Sequence, residues 1–275
     1  MKKIFFSFFL PFLPVILFAC KKQPKDVEDP GWKQPELVDN RITIMSYNVR
    51  YCTPYLVTPV APDVSAIAAV INREVPDVVF LQEVDRNTTR SKKTDQLSEL
   101  SKMTDMPFTY YGKAIDYQGG EFGVAFLSRY LLSDEVKTAL PGADENRVLI
   151  QANIKVNDKT ITIACTHLDL YQENRDAEVP VVNSRLSATP YPVIFGGDLN
   201  ATPINTTIQT LLGYGFSKIT PTSAEYFTIP SDKPNRQLDY IMCRPAEKFK
   251  TISTKVATDA RVSDHLPVVA VIELQ

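Results

Sequence analysis

Histidine is scarce in this sequence: its 275 residues include only two, His167 and His265. Cysteine is also rare, and the four cysteines form no CxxC pair, so the spacing of a structural zinc site is missing. The three beyond Cys20 lie in or beside predicted strands, and we expect buried thiols there: Cys52, Cys165 and Cys243. Neither sign of charge dominates, because 30 Lys and Arg stand against 32 Asp and Glu. This balance disfavours a protein that binds nucleic acid through a strong basic field.

One long apolar run stands apart, over residues 4–19. It is shorter than the roughly 20 apolar residues of a spanning helix and contains two prolines, so it is typical of a secretory signal. Residues 17–20 resemble a bacterial lipoprotein cleavage box, which predicts a signal peptide over residues 1–19 and lipidation of Cys20. An ordinary signal peptide with an incidental cysteine is the alternative. The charged, proline-containing stretch over residues 20–40 predicts a tether.

The remaining sequence, residues 41–275, predicts one domain in which strands outnumber helices. Alternating or continuous apolar runs predict strands at 42–49, 78–84, 108–115, 122–128, 147–156, 160–167, 192–195, 236–243, 251–257 and 266–274. Helical spacing predicts helices at 63–74, 94–104 and 173–187. Several strand pairs look like hairpins, for example around Asn157 and Asp158. The pattern therefore predicts an α/β (α+β) fold of two mainly antiparallel sheets packed together, with helices outside.

Polar side chains suited to metal and phosphate chemistry recur where the apolar strands end or begin. They are Asn48, Glu83, His167, Asp198, Asn200, Asp239, Asp264 and His265. Strand ends and the loops after them are where a rigid scaffold presents reactive groups. Each residue alone has an ordinary structural explanation, such as a turn or a cap. Because both histidines of the chain fall within the set, we interpret it as one candidate site.

The residue types in this set favour phosphoester hydrolysis with a hard divalent cation. Carboxylate and amide oxygens suit Mg²⁺ or Mn²⁺, which bind through a few carboxylates together with substrate phosphate. Cleavage needs a deprotonated water and positive groups at the non-bridging oxygens. We expect Asp239 to orient the imidazole of His265, which then takes a proton from water. His167 and Asn200 would bind the phosphate oxygens.

The candidate residues lie within seven ordered segments: SYNVR, LQEVDR, GGEFGVAFLSR, THLD, GGDLNATP, LDYI and SDHLPV. Together these segments resemble the endonuclease/exonuclease/phosphatase superfamily, whose fold is that of deoxyribonuclease I. The resemblance covers residues 41–275 and implies a four-layer α/β/β/α sandwich. Within the superfamily, LQEVDRNTTRSKKTDQ and GGEFGVAFLSRY most resemble bacterial metal-dependent hydrolases placed near sphingomyelinases.

The resemblance also implies which residues hold the metal, Mg²⁺ or Mn²⁺. Glu83 matches the principal metal ligand of the family, and Asn48 matches the residue that assists metal or phosphate binding. Asp264 is similar to the second carboxylate on the metal side.

Catalytic roles follow from the same resemblance. Asp198 matches the acid near the attacking water, and Asn200 matches the amide that contacts phosphate. Asp239 and His265 match the acid–histidine pair that serves as the base. His167 matches a histidine of deoxyribonuclease I-type nucleases and bacterial sphingomyelinases, where abasic-site endonucleases carry a tyrosine.

The sequence accordingly predicts a phosphodiesterase or phosphatase that acts outside the cytoplasm on a lipid headgroup, a sugar phosphate or a similar small ester. We expect a monomer anchored to the bacterial cell envelope through lipidated Cys20, facing the periplasm or the cell exterior. A secreted nuclease is an alternative that the charge balance disfavours. A non-catalytic surface binding lipoprotein is another, disfavoured because the set of acids and imidazoles is complete.

Three further arginines stand near these segments: Arg86, Arg90 and Arg129. They could bind a second anionic group of the substrate, and a solvated surface charge is an equally good interpretation of each. We therefore do not include them in the predicted site.

Overall fold

The structure, a computed structural model, describes residues 40–56, 61–142, 145–258 and 260–275, which contain twelve strands, four α-helices and three short 3-10 helices. The strands are β1 Arg41–Asn48, β2 Val78–Arg86, β3 Phe108–Tyr117, β4 Gly120–Ser128, β5 Ser133–Leu140, β6 Arg147–Val156, β7 Lys159–His167, β8 Val193–Asp198, β9 Ser217–Lys218, β10 Asp239–Arg244, β11 Phe249–Val256 and β12 Val268–Leu274. The helices are α1 Val64–Glu74, α2 Gln96–Thr104, α3 Gln172–Ser187 and α4 Thr206–Gly213. The predicted signal peptide, and the predicted tether apart from Asn40, lie outside the described residues.

The strands form two sheets of six. Their orders are β11-β12-β1-β2-β4-β3 in the first sheet and β5-β6-β7-β8-β10-β9 in the second. Each sheet contains one parallel pair, β1 with β2 and β7 with β8, while the other neighbouring pairs are antiparallel. The prediction of two mainly antiparallel sheets is confirmed.

Two apolar clusters hold the layers together. The larger one fills the space between the sheets and beneath α1 and α2, and the second lies beneath α3 and α4. The sheets approach closely, since a Cβ added to Gly196 of β8 would lie 3.2 Å from the Phe80 ring of β2. Cys52, Cys165 and Cys243 are buried free thiols, as the sequence predicts. The layer order is helices, sheet, sheet, helices, which confirms the predicted four-layer sandwich.

Capping residues explain where the first two helices begin. The Asp63 carboxylate accepts a hydrogen bond from the Ala66 N–H, and the Asp95 carboxylate accepts one from the Ser98 N–H. Aspartate at this position satisfies an otherwise unpaired amide of the first turn. Among the described residues, none of the helices is long and apolar enough to cross a membrane.

Three elements were absent from the sequence prediction: β5, α4 and β9. β5 is an edge strand with the sequence SDEVKTAL, most of which is exposed, so it lacks the apolar alternation by which a strand is identified. β9 has two residues. α4 follows a loop containing Pro203 and begins with two threonines, which are weak helix formers, and it is stabilised by burial of Ile208 and Leu211.

Candidate active site

In the second sheet, β7 and β8 end at the level where the antiparallel strand β10 begins, and these three strands present three predicted site residues side by side. In the parallel pair of β7 and β8, His167 lies opposite Asp198. In the antiparallel pair of β8 and β10, Asp239 lies opposite the same Asp198. Residues separated by 31 and 41 positions are therefore adjacent because of strand register.

The two glycines of the GGD segment make this register possible. A Cβ on Gly197 would lie 1.9 Å from the Thr166 carbonyl oxygen, and the φ of +138° is unfavourable for any other residue. A Cβ on Gly196 would lie 2.4 Å from the Tyr240 carbonyl oxygen. The backbones of β7 and β10 can thus approach β8 closely only where β8 carries no side chain.

The first sheet contributes Asn48 and Glu83. Asn48 ends β1 opposite Gln82 of the parallel strand β2, so Glu83 follows one residue beyond that pair. The pairing of β2 with β4 shifts between Leu81 and Val84, and Glu83 has a φ of +59°. Bulges of this kind redirect a side chain, and here the redirected side chain is the predicted metal ligand.

Asn48 links the two sheets at the site. Its Nδ2 donates hydrogen bonds to Glu83 Oε1 and to Asp198 Oδ2, both at 3.0 Å. Its Oδ1 accepts a hydrogen bond from the Arg50 N–H at 3.1 Å, and the side chain is fully buried. In this orientation Asn48 positions two carboxylates through its amide nitrogen.

The SDH segment is tied to the same place by Ser263. The Ser263 hydroxyl donates to the Asn48 carbonyl oxygen at 2.7 Å and accepts from the His265 N–H at 3.3 Å. The Asp264 carbonyl oxygen accepts from the Ser231 N–H at 2.8 Å. Asp264 forms an ion pair with Arg50, with 3.4 Å between Oδ2 and Nε. The segment therefore aims Asp264 and His265 into the site from a second loop.

Both imidazoles face Asp198. Its Oδ2 lies 3.5 Å from His167 Nε2 and 3.6 Å from His265 Nε2. The other ring nitrogen of His265, Nδ1, lies 2.8 Å from Asp239 Oδ2, which also accepts from the Thr228 hydroxyl at 2.5 Å. The predicted Asp239–His265 pair is thus in hydrogen-bond contact, and the hydrogen bond from Thr228 orients the Asp239 carboxylate.

The two histidines differ in charge. Burial alone lowers the pKa of His265, but attraction by Asp239 and Asp198 outweighs it, so the pKa is raised and the imidazolium is favoured. Burial also lowers the pKa of His167, and the positive charges of Arg147 and His265 lower it further. Without a bound cation, these opposite shifts favour a neutral His167 and a protonated His265 at neutral pH.

Burial raises the pKa of two carboxyl groups at the site. Burial raises the pKa of Asp198. The positive charge of His265 opposes this increase, and repulsion by Asp239 adds to it. Burial also raises the pKa of Glu83. The hydrogen bond from Asn48 opposes this increase, and repulsion by Asp264 adds to it. Carboxylates held close together under such conditions are stabilised by a nearby cation.

Two groups of side chains could supply ligands for a cation. Asp198, Asp239 and His265 each offer one ligand atom within 4.8 Å of one another. A ligating histidine must be neutral, however, whereas attraction by Asp239 and Asp198 raises the pKa of His265 and favours its protonated form. Glu83 and Asp264 offer oxygen ligands alone, as Mg²⁺ or Mn²⁺ prefers, and the two carboxylates are close enough for Asp264 to raise the pKa of Glu83 by repulsion. The donor chemistry fits a hard cation at Glu83 and Asp264 better.

Asn200 supports Asp198 from its C-terminal side. Its backbone N–H donates to Asp198 Oδ1 at 2.9 Å, and its Nδ2 donates to the Leu168 carbonyl oxygen at 2.8 Å. One of the two Nδ2 hydrogens thus fixes the loop after β7, and the second is available for the predicted contact with phosphate.

Arg147, at the start of β6, is a site residue that sequence reasoning missed. It is only 6% exposed, and its charge lowers the pKa of both His167 and Glu83. Its Nη1 pairs with Glu145 at 2.9 Å, while its Nε has no hydrogen-bond partner among the described residues. The sequence offered one indication of its role: Arg147 begins the first strand of the predicted hairpin whose second strand ends in His167.

The three arginines left out of the predicted site have structural partners. Arg90 donates two hydrogen bonds to the buried carboxylate of Asp85, at 2.8 and 2.9 Å. Arg86 pairs with Asp95 at 3.1 Å. Arg129 donates to a backbone carbonyl oxygen at 3.2 Å. These contacts favour the structural interpretation of all three.

Solved structures with this fold come from bacteria and from animals. An endonuclease/exonuclease/phosphatase from Beutenbergia cavernae is 21% identical, with a TM-score of 0.74 over 86% of this chain and 72% of that one. A mannosyl-6-phosphatase from Bacteroides thetaiotaomicron is 16% identical, with a TM-score of 0.66 over 84% and 99%. The human nocturnin catalytic domain with bound sulfate is 19% identical, with a TM-score of 0.65 over 86% and 96%. At these identities the likeness shows the fold.

The family follows from the sequence match. No curated protein matches the chain. The sequence model of the Endonuclease/Exonuclease/phosphatase family matches residues 45–265, which include all eight predicted site residues. This chain therefore belongs to the endonuclease/exonuclease/phosphatase family.

Proposed function

We propose that the protein is a divalent-metal-dependent phosphoester hydrolase that acts outside the cytoplasm on a small phosphorylated substrate, anchored through a lipid on Cys20. The observation that carries the hydrolase proposal is the arrangement around Asp198. Two imidazole nitrogens lie 3.5 and 3.6 Å from its Oδ2, and Asn48 links the same oxygen to Glu83. An acid, two imidazoles and a carboxylate pair within one buried site are the groups that metal-assisted hydrolysis needs.

Glu83 and Asp264, with Asn48 orienting Glu83, would hold the cation. When bound, it would neutralise phosphate charge and lower the pKa of a water ligand. The absence of a soft ligand pair in this group supports Mg²⁺ or Mn²⁺.

Positive and donor groups beside Asp198 would bind the phosphate. The His265 imidazolium can donate through Nε2, since Nδ1 is bound to Asp239. His167 can donate as a neutral imidazole, and Asn200 retains one amide hydrogen. Arg147 adds a buried positive charge behind His167. Such groups stabilise the charge that builds up on non-bridging oxygens during the reaction.

The proton of the attacking water has two possible acceptors. The family resemblance predicts His265 for this role, and Asp198 is the alternative that we propose in its place. The charges in the structure favour Asp198, because His265 is held as a cation by two carboxylates while burial raises the pKa of Asp198. A carboxylate with a raised pKa is the better base near neutral pH. We therefore assign the base to Asp198 and phosphate binding to His265.

The substrate class rests on charge and on the fold. A net charge of −2 gives no general attraction for a polyanion, which supports a small substrate. A mannosyl-6-phosphatase is among the proteins that share the fold, which supports a sugar phosphate as one substrate to test. A lipid headgroup is the other, because the proposed anchor would hold the enzyme at a membrane surface.

A hydrolysis screen tests the proposal. The purified protein is assayed with Mg²⁺ or Mn²⁺ on p-nitrophenyl phosphate, bis-p-nitrophenyl phosphate, sugar phosphates, sphingomyelin and single- and double-stranded DNA. We expect turnover of a small or lipid phosphoester that EDTA abolishes. Asp198→Asn should lower kcat by at least about 100-fold, whereas Asp158→Asn, at an exposed turn, should match the wild type.

Each remaining outcome is informative. Cleavage restricted to DNA would establish the nuclease alternative in place of the proposed function. Turnover that survives both EDTA and Asp198→Asn would show that the assigned site is not the catalytic one. No turnover of any substrate by a folded protein that still binds Mn²⁺ would favour the non-catalytic binding protein.

A further inference from the structure

The chain directly after β1 adopts an unusual conformation beside the site. Arg50, Tyr51 and Cys52 have φ values of 47°, 44° and 54°, so three consecutive residues other than glycine are left-handed. This conformation is unfavourable for such residues unless the surrounding structure enforces it. Here the Gln96 side chain donates to the Tyr51 carbonyl oxygen at 2.7 Å, and the Asp63 N–H donates to that of Cys52 at 2.6 Å.

The turn fixes the Arg50 side chain next to the carboxylates of the site. Its Nε lies 3.4 Å from Asp264 Oδ2, and its Nη1 donates to the Pro54 carbonyl oxygen at 3.2 Å. Its guanidinium carbon lies 5.9 and 5.8 Å from the ring centroids of Tyr51 and Tyr55. The guanidinium thus lies within cation–π range of two aromatic rings and contacts Asp264 of the site.

Arg50 differs from neighbouring Arg90 in how the N–H donors of its guanidinium are paired. Arg90 donates two hydrogen bonds to the buried carboxylate of Asp85 and packs against the rings of Tyr51, Tyr117 and Phe122. Arg50 instead forms a longer ion pair with half-buried Asp264, its side chain is 26% exposed, and its Nη2 has no hydrogen-bond partner among the described residues. A preorganised guanidinium with unused donors at the edge of a substrate site is suited to bind an anion.

The position of Arg50 separates it from the groups assigned to the cleaved phosphate. His167 and His265 contact Asp198, whereas the Arg50 side chain contacts Asp264 and its own turn. We propose that Arg50 is a specificity-determining residue that binds a second anionic group of the substrate, a phosphate or a carboxylate, next to the phosphoester to be cleaved. This inference rests on the proposed function and narrows its substrate class to phosphoesters that carry another anionic group.

Binding measurements with matched ligand pairs test the inference without requiring turnover. Asp198→Asn protein, chosen to stop hydrolysis, is titrated in Mg²⁺ with glucose 6-phosphate and glucose 1,6-bisphosphate, and with glycerol 3-phosphate and 3-phosphoglycerate. The first pair differs by a phosphate and the second by a carboxylate. We expect the member of a pair that carries the additional phosphate or carboxylate to bind at least about tenfold more tightly, in one or both pairs, and the pair that shows this difference identifies the anion.

Arg50→Gln in the same background should abolish this preference while keeping the affinity for the ligand that lacks the second anionic group within about threefold. Arg50→Lys should retain part of the preference and serves as the informative variant if Arg50→Gln does not fold. The matched control is Arg41→Gln, at the opposite end of β1, which removes the same charge and should change neither affinity.

Three results would overturn the inference. The parent protein could show no preference in either pair, or Arg50→Gln could keep the preference intact. Arg50→Gln could also weaken both members of a pair equally, which would place Arg50 at the cleaved phosphate or in a purely structural role. The two proposals fail in different experiments. If the protein is not a hydrolase, the screen shows no turnover, whereas the binding titrations can still show the preference for a second anionic group.

Discussion

Asn48 and Asp198 are 150 residues apart in the sequence, on strands of different sheets, and are joined by a hydrogen bond of 3.0 Å from Nδ2 to Oδ2. The same nitrogen donates to Glu83. One buried amide therefore fixes the distance between the proposed metal-binding carboxylate and the proposed base. Because both acceptors would otherwise be partly unpaired carboxylates in a buried site, the contact bears on stability and on activity.

Asn48→Ala should lower the free energy of unfolding by about 1–3 kcal/mol, since it removes two donors from buried carboxylates. Activity on the best substrate of the screen should fall at least about 100-fold, because Glu83 and Asp198 lose their common orienting group. Urea unfolding and steady-state kinetics measure the two effects. Asn72→Ala is the control: its side chain makes one exposed hydrogen bond, and its effect should stay within about 0.5 kcal/mol. Equal effects of the two variants would contradict the linking role of Asn48.

The two histidines should titrate far apart in the metal-free protein. We expect His265 to be still protonated at pH 8, because Asp239 and Asp198 raise its pKa, and His167 to be neutral at pH 6, because burial and neighbouring cations lower its pKa. With only two imidazoles in the chain, ¹H–¹³C NMR shows one Cε1–H signal for each. His167→Gln assigns them. Two midpoints near the ordinary histidine value would contradict the assignment of His265 as a cation.

Metal binding should depend on Glu83 more than on Asp239. Glu83→Gln should weaken Mn²⁺ binding, measured by calorimetry, by at least about tenfold, because it removes a charged ligand. Asp239→Asn should keep the affinity within about threefold and should lose activity, since Asp239 orients His265. The reverse result would place the ion among Asp198, Asp239 and His265, the other group with suitable spacing.

Stability should fall as pH rises because of Glu178, a fully buried residue of α3. Burial raises its pKa from 4.5 to about 7; a hydrogen bond from the Asp169 N–H opposes this, and Asp169 repulsion adds to it. Between these values the unfolded chain releases the proton while the folded protein keeps it, so unfolding becomes easier with rising pH. The contribution of protonated Glu178 to the free energy of unfolding is fully present below pH 4.5 and is lost as the pH rises toward about 7.

Glu178→Gln should remove this loss. Measured by urea unfolding, the difference in free energy between variant and wild type should grow in favour of the variant by on the order of 2–3 kcal/mol from pH 4.5 to pH 8. Glu173→Gln, at an exposed position of the same helix, should follow the wild type at both pH values. A constant difference between Glu178→Gln and wild type would show that Glu178 is not protonated in the folded state.

Most of the site could be identified from the sequence because its residues stand at the ends of recognisable strands. The strand ending in Asn48 and the one leading into Glu83 carry clear apolar patterns, and so does GGD with its paired glycines. The edge strand β5 and the helix α4 carry no such pattern, and their stability comes from neighbours in the fold. Arg147 and Arg50 were missed for a related reason, since an isolated arginine looks like a surface charge until its surroundings are known.

The sequence by itself determined the layered fold class, the eight candidate residues and the family, because apolar periodicity and motif order are written along the chain. Tertiary structure alone decided which of these residues meet and how they are charged. Strand register placed His167 and Asp239 on either side of Asp198, and the bulge at Glu83 redirected that carboxylate to Asn48. Burial and charge proximity, which set pKa values and hydrogen-bond partners, depend on distances between residues far apart in the chain.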